Sequence, residues 1–224
     1  MKPLRLLLLG APGSGKGTQT SKVLKDFSHI KAISSGDILR QQINAQTNIG
    51  KEISRYIKNG SLVPDEIMAR LLETELQRRR WLNRDASWLL DGFPRTFTQA
   101  SKLDEVLGKS GANLNQVVEL DVDQKVILQR IEARWIHLPS GRVYNLDYNP
   151  PKVPFKDDIT GEPLSKRSDD NAETFQKRLD IYNSEIGPLR DYYKPKNIFH
   201  TISGNSSDII YPQLSRYLSE KFGS

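Results

Sequence analysis

Nine residues near the N-terminus, Gly10 to Thr18, read GAPGSGKGT and follow the apolar run Leu6–Leu9. Their order is strand, glycine-rich turn, helix. The turn directs backbone N–H groups inward, where they suit phosphate oxygens, and the helix start adds partial positive charge. Gly13, Ser14, Gly15, Lys16, Gly17 and Thr18 are therefore candidates for gripping a polyphosphate. Lys16 has the reach for the outermost phosphates, and the Thr18 hydroxyl suits a magnesium ion. Taken alone, the stretch could also be a plain glycine turn.

A second constellation, WLLDGFPRT from Trp88 to Thr96, sets Asp91 at the end of an apolar strand. In open α/β sheets that edge is where ligands bind. A carboxylate there suits magnesium or its waters, although Asp91 could also cap a helix. Gly92 and Pro94 bend the chain so that Arg95 can turn back. Arg40 follows SSGDIL, Arg130 and Arg134 lie one helical turn apart, and Arg167 precedes two aspartates. Arg178 sits on a helix with the stripe Phe175, Leu179, Tyr182 and Ile186. Each arginine alone reads as a surface charge, so their value depends on convergence. Arg78, Arg79 and Arg80 read as a solvated helix face. His29, His137 and His200 lack metal-ligand spacing, and no Ser-His-Asp arrangement is legible. That fits phosphoryl transfer, which needs positioning and charge stabilisation more than a covalent nucleophile.

The elements that must hold these residues follow from hydrophobic pattern. Leu6–Leu9, Trp88–Leu90 and Val117–Leu120 read as strands buried on both faces of a parallel sheet, with Phe199–Ile202 and Ala32–Ser34 as further candidates. Helix-length segments between them give an α/β layered fold. Two stretches break the rhythm: small amphipathic helices between Ser35 and Val63, and a proline- and glycine-rich segment between Trp135 and Asp170 that reads as an irregular β-type insertion.

The chain has 224 residues, 33 basic and 27 acidic, with a net charge of +6 and no cysteine. Disulfides, cysteine-held zinc and a thiol nucleophile are thereby excluded. No stretch has the roughly 20 apolar residues needed to span a bilayer. Beside a phosphate loop, the basic surplus points to small phosphorylated substrates, since Arg and Lys grip phosphate. From Met1 to Lys25 no acid occurs, a bias compatible with mitochondrial import and equally with the needs of a phosphate loop.

With these motifs in place, the sequence resembles the adenylate kinase family of the long-lid type, from about Pro3 to the C-terminus. GAPGSGKGTQ, SSGDILR, LLDGFPRT, HLPSGRVYN, NPPK and DDITGEPL occur in the family's order, and the GKGT variant, with Gly17 between Lys16 and Thr18, is typical of small nucleotide kinases. The segments ARWIH, GRVYN and DDITGEPL resemble the mitochondrial GTP:AMP phosphotransferase branch. The resemblance implies a P-loop NTPase-type three-layer fold with a five-stranded parallel sheet. It divides the chain into a discontinuous core (1–33, 64–133, 171–224), an AMP-binding insertion (34–63) and a lid (134–170).

By the same resemblance, Gly13 to Thr18, Arg130, Val143, Tyr144 and the backbone near Ser206 would hold the donor nucleotide. Ser35, Arg40, Ser61, Leu62, Val63, Gly92, Phe93, Pro94, Arg95 and Gln99 would hold AMP. Arg167 and Arg178 would bridge both substrates, and Lys16, Asp91, Arg95, Arg130, Arg134, Arg167 and Arg178 would form the catalytic set. Magnesium would bind through the nucleotide, Thr18 and water near Asp91. Ser61 stands where many relatives carry Lys. Lids of this length often bind zinc through four cysteines; here those places hold His137, Ser140, Asp157 and Thr160, so the expectation is a hydrogen-bonded lid without zinc. GTP is favoured as donor, with ITP and ATP as alternatives. A regulatory GTPase would need an Asn-Lys-x-Asp element, which is missing. A nucleic-acid module is a remote reading, and the remaining expectations are a monomer without nucleic-acid or membrane partners, in the mitochondrial matrix or otherwise the cytoplasm.

Overall fold

The computed structural model describes residues 2–167 and 172–223. The expected boundary between lid and core at 170 and 171 lies outside them, as do both chain ends. The central strand, β1 (Arg5–Gly10), carries four consecutive leucines, and all four are buried. Leu7 and Leu9 face one apolar cluster, Leu6 and Leu8 the other. An unalternating apolar run is what a strand covered on both faces requires. Around it stand β2 (Lys31–Ser34), β3 (Trp88–Asp91), β4 (Gln116–Asp121) and β7 (Phe199–Ser203), in the order β2-β3-β1-β4-β7, every pair parallel.

Helices cover both faces. On one, α4 (Asp65–Arg78) contributes Met68, Leu72 and Leu76, and α5 (Phe97–Lys109) contributes Leu103 and Leu107. On the other lie α1 (Lys16–Asp26), α6 (Gln124–Glu132) and α8 (Ser207–Phe222), with Val23, Ile127 and Leu214. The long helix α7 (Ala172–Tyr193) belongs to both: Phe175 and Leu179 enter one cluster, Ile186 and Leu189 the other. Parallel strands bring Gly10, Ser34 and Asp91 to the same edge of the sheet, where each chain turns toward a helix.

Between β2 and β3 lie α2 (Ser35–Asn44) and α3 (Asn48–Lys58). Ser34 caps α2 by accepting from the Asp37 N–H, and Thr47 caps α3 by accepting from the Gly50 N–H at 2.9 Å. The two helices meet at Gly50, where an added Cβ would lie 2.0 Å from the Gln42 carbonyl oxygen.

Between α6 and α7, the antiparallel pair β5 (Arg134–Ile136) and β6 (Val143–Asn145) opens the irregular segment. Its centre is the buried Asp157 carboxylate. Arg142 Nε donates to it at 2.7 Å, the Tyr144 hydroxyl at 2.9 Å, and the Thr160 N–H at 2.8 Å. The Arg142 guanidinium holds this carboxyl well below the usual carboxylate range. His137 shares hydrogen bonds with Ser140 at 2.7 Å and Glu162 at 2.6 Å. The four positions His137, Ser140, Asp157 and Thr160 do meet, joined by Tyr144, expected only as a donor contact, and by Arg142 and Glu162, which the sequence reading had not enlisted. Among the described residues, no group of three or more His, Cys, Asp or Glu is arranged to hold a metal ion, and no helix is long and apolar enough to cross a membrane.

The crowding at Gly50 gives a direct test. Gly50→Ala must force α2 from α3, because the obstructing atom is backbone. The expected loss is about 2 kcal/mol, the range for overpacking, measured by denaturant unfolding; unchanged stability would show that the helices do not meet this closely.

Candidate active site

Gly13 and Gly15 shape the turn after β1, both in the left-handed region (φ 79° and 93°). A Cβ on Gly13 would lie 2.9 Å from Ile127, so α6 approaches the loop too closely for any side chain. Gly15 caps α1 without a side-chain hydrogen bond, and the helix has no acid in its first turn. The helix start is thus open to an anion. Ser14 is buried, and its hydroxyl has no hydrogen-bond partner among the described residues. Lys16 folds back and donates to the carbonyls of Gly10 (2.8 Å) and Ala11 (2.9 Å).

Burial pushes the Lys16 ammonium down, to about 8. Asp91 pulls it up, whereas Arg95, Arg178 and Arg134 push it further down. Asp91 itself is raised by burial, against the opposing pull of Lys16, Arg95 and Arg40, with Asp37 reinforcing the rise. Residues from α1, β3, the turn after β3, β5 and α7 therefore share one electrostatic environment, although the sequence separates them by up to 162 positions between Lys16 and Arg178. The convergence on which the arginines' meaning depended is present for Arg95, Arg134 and Arg178. Arg167 is partly buried at the far end of the irregular segment.

On the β3 side, Ser35 donates its hydroxyl to the Gly92 carbonyl at 2.8 Å, and Arg95 Nε donates to the same oxygen at 2.8 Å. The turn contains a cis peptide between Phe93 and Pro94. Gln99 is buried, with both ends of its amide engaged. Its oxygen accepts from the Arg95 N–H, and its nitrogen donates to Asp65, each at 2.8 Å. Asp65, missed in the sequence, also accepts from Thr96 at 3.1 Å. Arg40 is ion-paired with Asp37 on its own helix. Ser61 and Leu62 are partly exposed and Val63 is buried, just after Gly60, whose Cβ would lie 3.5 Å from the Arg178 Cγ.

On the opposite side, Arg130 spans two loops. It donates to the Ser14 carbonyl at 3.3 Å and to the Asn205 carbonyl at 2.9 Å, with its guanidinium 5.9 Å from the Tyr148 ring. Ser206 caps α8, its hydroxyl accepting from the Ile209 N–H. Val143 is exposed. The Tyr144 side chain is buried on Asp157, so only its backbone is offered to a ligand. Thr18 is exposed at the mouth of the loop. Neither Asn205 nor Tyr148 belongs to a motif legible in the sequence; each is found only through Arg130.

Comparison with known proteins agrees with this geometry. The family model described as "Adenylate kinase" matches residues 8–198. A Saccharomyces cerevisiae protein named GTP:AMP phosphotransferase, mitochondrial, is 59% identical over 223 residues, covering 100% of this chain and 95% of its own length. A second protein of that name, from strain S288c of the same yeast, is 60% identical over 211 residues, covering 94% of each chain. An adenylate kinase of Malassezia globosa is 42% identical over 205 residues, covering 91% of this chain and 79% of its own. The similarity runs through strands, phosphate loop and cationic edge alike: this chain belongs to the adenylate kinase family.

Proposed function

We propose that the protein transfers the γ-phosphoryl group of GTP reversibly to AMP, giving GDP and ADP. The observation that carries the reading is Lys16, hydrogen-bonded to the Gly10 and Ala11 carbonyls at the sheet edge, in the field of Asp91, Arg95, Arg134 and Arg178. So many cations around one partly buried ammonium suit a highly anionic guest, such as two nucleotides meeting phosphate to phosphate. GTP is favoured over ATP because the two yeast relatives named for GTP are 59% and 60% identical, against 42% for the relative named adenylate kinase. The compartment in the names of the two yeast relatives and the acid-free stretch Met1–Lys25 favour mitochondria, with the matrix as the finer reading.

In this reading the loop N–H groups of Gly13 to Thr18 and Lys16 hold the donor's outer phosphates. The AMP phosphate oxygen attacks the γ-phosphorus in line as the bond to the β-bridging oxygen breaks. Arg95, Arg134, Arg167 and Arg178 neutralise charge spread over the transferring group and keep the two nucleotides aligned. Arg130, between Ser14 and Asn205, braces the loop against the donor's base side. Ser35, Arg40, Ser61 to Val63, Gly92 to Arg95 and Gln99 frame AMP. The oxygen donors present, the Thr18 hydroxyl and the Asp91 carboxylate, fit magnesium held largely through water. When bound, held by Thr18 and through water by Asp91, magnesium would neutralise part of the donor's phosphate charge. The segments 34–63 and 134–170 would close over the substrates and exclude water, the competing acceptor. The protein would act as a monomer, without nucleic acid.

The activity test supplies purified protein with AMP and magnesium, with GTP, ITP and ATP in parallel, and follows diphosphate formation. GTP is expected to give the highest kcat/KM; preference for ATP would overturn the donor assignment, and no transfer from any donor the whole reading. Lys16→Met is expected to lower kcat by roughly 10³-fold with the fold intact by circular dichroism, and an unimpaired rate would refute the role of Lys16.

Protonation gives a second test. With its value near 8 in the nucleotide-free protein, Lys16 is charged below neutral pH and mostly neutral at about pH 9. Bound phosphate favours the charged form and raises that value. GTP binding at about pH 9 should therefore take up close to one proton, and at about pH 6.5 none through this group. Calorimetry in buffers of different ionisation enthalpy reads the number. Equal uptake by Lys16→Met would assign the proton elsewhere.

A further inference from the structure

The run Val117–Leu120 reads as uniformly apolar, yet its third residue is Glu119, and that carboxylate is buried with 1% exposure. It lies on the sheet face that carries Val117, paired in register with Leu9, the residue before Gly10 of the phosphate loop. A buried charge costs several kcal/mol unless it is well paired. Among the described residues, the side-chain partners of Glu119 come from α7. Arg190 donates Nε and Nη2 to its two oxygens at 2.8 and 2.7 Å, and the Tyr182 hydroxyl donates at 2.9 Å. Burial and the neighbouring Glu119 charge push the Tyr182 phenol far above its usual range, so it stays a donor.

The helix so gripped is the one that carries Arg178. Tyr182 follows Arg178 by one turn on the same face. Arg178 in turn lies in the field of Lys16, on the strand-and-loop unit that Glu119 borders. Apolar packing alone would let α7 slide along the sheet, since it is non-directional. Three hydrogen bonds to one carboxylate fix both height and rotation. Pro188 sits between the two gripping residues, where the helix lacks one N–H. The grip therefore spans the part of α7 that its own hydrogen bonding holds least.

We propose that Glu119 is a positioning residue for phosphoryl transfer: through Tyr182 and Arg190 it sets the place of Arg178 relative to Lys16 without touching substrate. This rests on the kinase reading above. Misplacement by about 1 Å can cost 10²-fold in rate, so a registering contact this close to the site should be visible in kcat.

The experiment is a kinetic double-mutant cycle. Glu119→Gln keeps the side chain's size and removes the charge; it should lower kcat about tenfold, with KM for AMP and GTP changed by less than about twofold. Arg178→Ala alone should cost roughly 10²–10³-fold. In the Glu119→Gln background its cost should shrink to about tenfold, because the arginine is already displaced. Multiplicative losses would overturn the proposal, since a merely stabilising carboxylate would act independently of Arg178. Wild-type kcat in Glu119→Gln would overturn it as well. Should Glu119→Gln fail to fold, Tyr182→Phe removes one hydrogen bond and keeps the ring, and it carries the same cycle. A loss of about threefold, again sub-additive with Arg178→Ala, is expected of it, and no loss refutes the idea. Absence of transfer in the wild-type protein would overturn the kinase reading and, with it, this role for Glu119, whereas wild-type transfer with independent losses overturns the role alone.

Discussion

Like charges repel, and at one edge of this sheet the chain forces several together. Lys16 is partly buried, with Arg95, Arg134 and Arg178 in its field and the Asp91 carboxylate opposing them. Left to itself, such a cluster would disperse into water. It persists because each member is fixed by something it cannot leave. Lys16 begins α1 and is tied to two loop carbonyls. Arg95 is tied to the Gly92 carbonyl, and Arg178 rides on a helix anchored by buried residues from Thr174 to Tyr193. In the reading proposed above, a polyanion would relieve the mutual repulsion of these cations, and fixing them in place beforehand is what preorganisation means.

What resists the tension is mostly apolar. The four buried leucines of β1 lock the phosphate loop's entry strand between two clusters, and the helices on either face are fixed by the same leucine-rich contacts. Polar contacts act where direction matters. Ser35 and Arg95 converge on one carbonyl, Gln99 bridges Arg95 to Asp65, and Glu119 gathers Tyr182 and Arg190. Apolar burial supplies cohesion without orientation, whereas these bonds supply orientation and little net stability.

The fold was legible because its signals are local or periodic. The strands around β1 are runs of apolar residues, and the phosphate loop announces itself by glycines whose left-handed torsions the structure shows at Gly13 and Gly15. Family membership was legible for the same reason, since several motifs stand in order along one chain. Partnerships made in space were not. Nothing in the sequence around Asp65 points to Gln99, 34 positions away, and nothing around Arg190 points to Glu119, 71 positions away. Glu119 was hidden in a second way: it interrupts an apolar run by one residue, and a single polar residue leaves the strand pattern intact. Tyr144 shows a further limit. Its motif suggested contact with the donor, whereas its hydroxyl is spent on Asp157 and its ring is buried within the irregular segment.

The two buried carboxylates make a contrast that follows from their surroundings. Asp157 is gripped from within its own segment, by Arg142, Tyr144 and Thr160, all within 15 positions of it in sequence. Such a knot stiffens the segment as a body. Glu119 is gripped across two elements of the main sheet unit and forbids their relative motion. Of the two ionic clusters, one makes a rigid piece and the other makes a fixed joint. An enzyme that must exclude water without losing alignment needs both. A cover that flexes internally would leak, and a catalytic arginine whose helix drifts against the phosphate loop would meet the transferring group in the wrong place. The chain separates the two requirements by choosing, for each carboxylate, whether its partners lie near or far along the sequence.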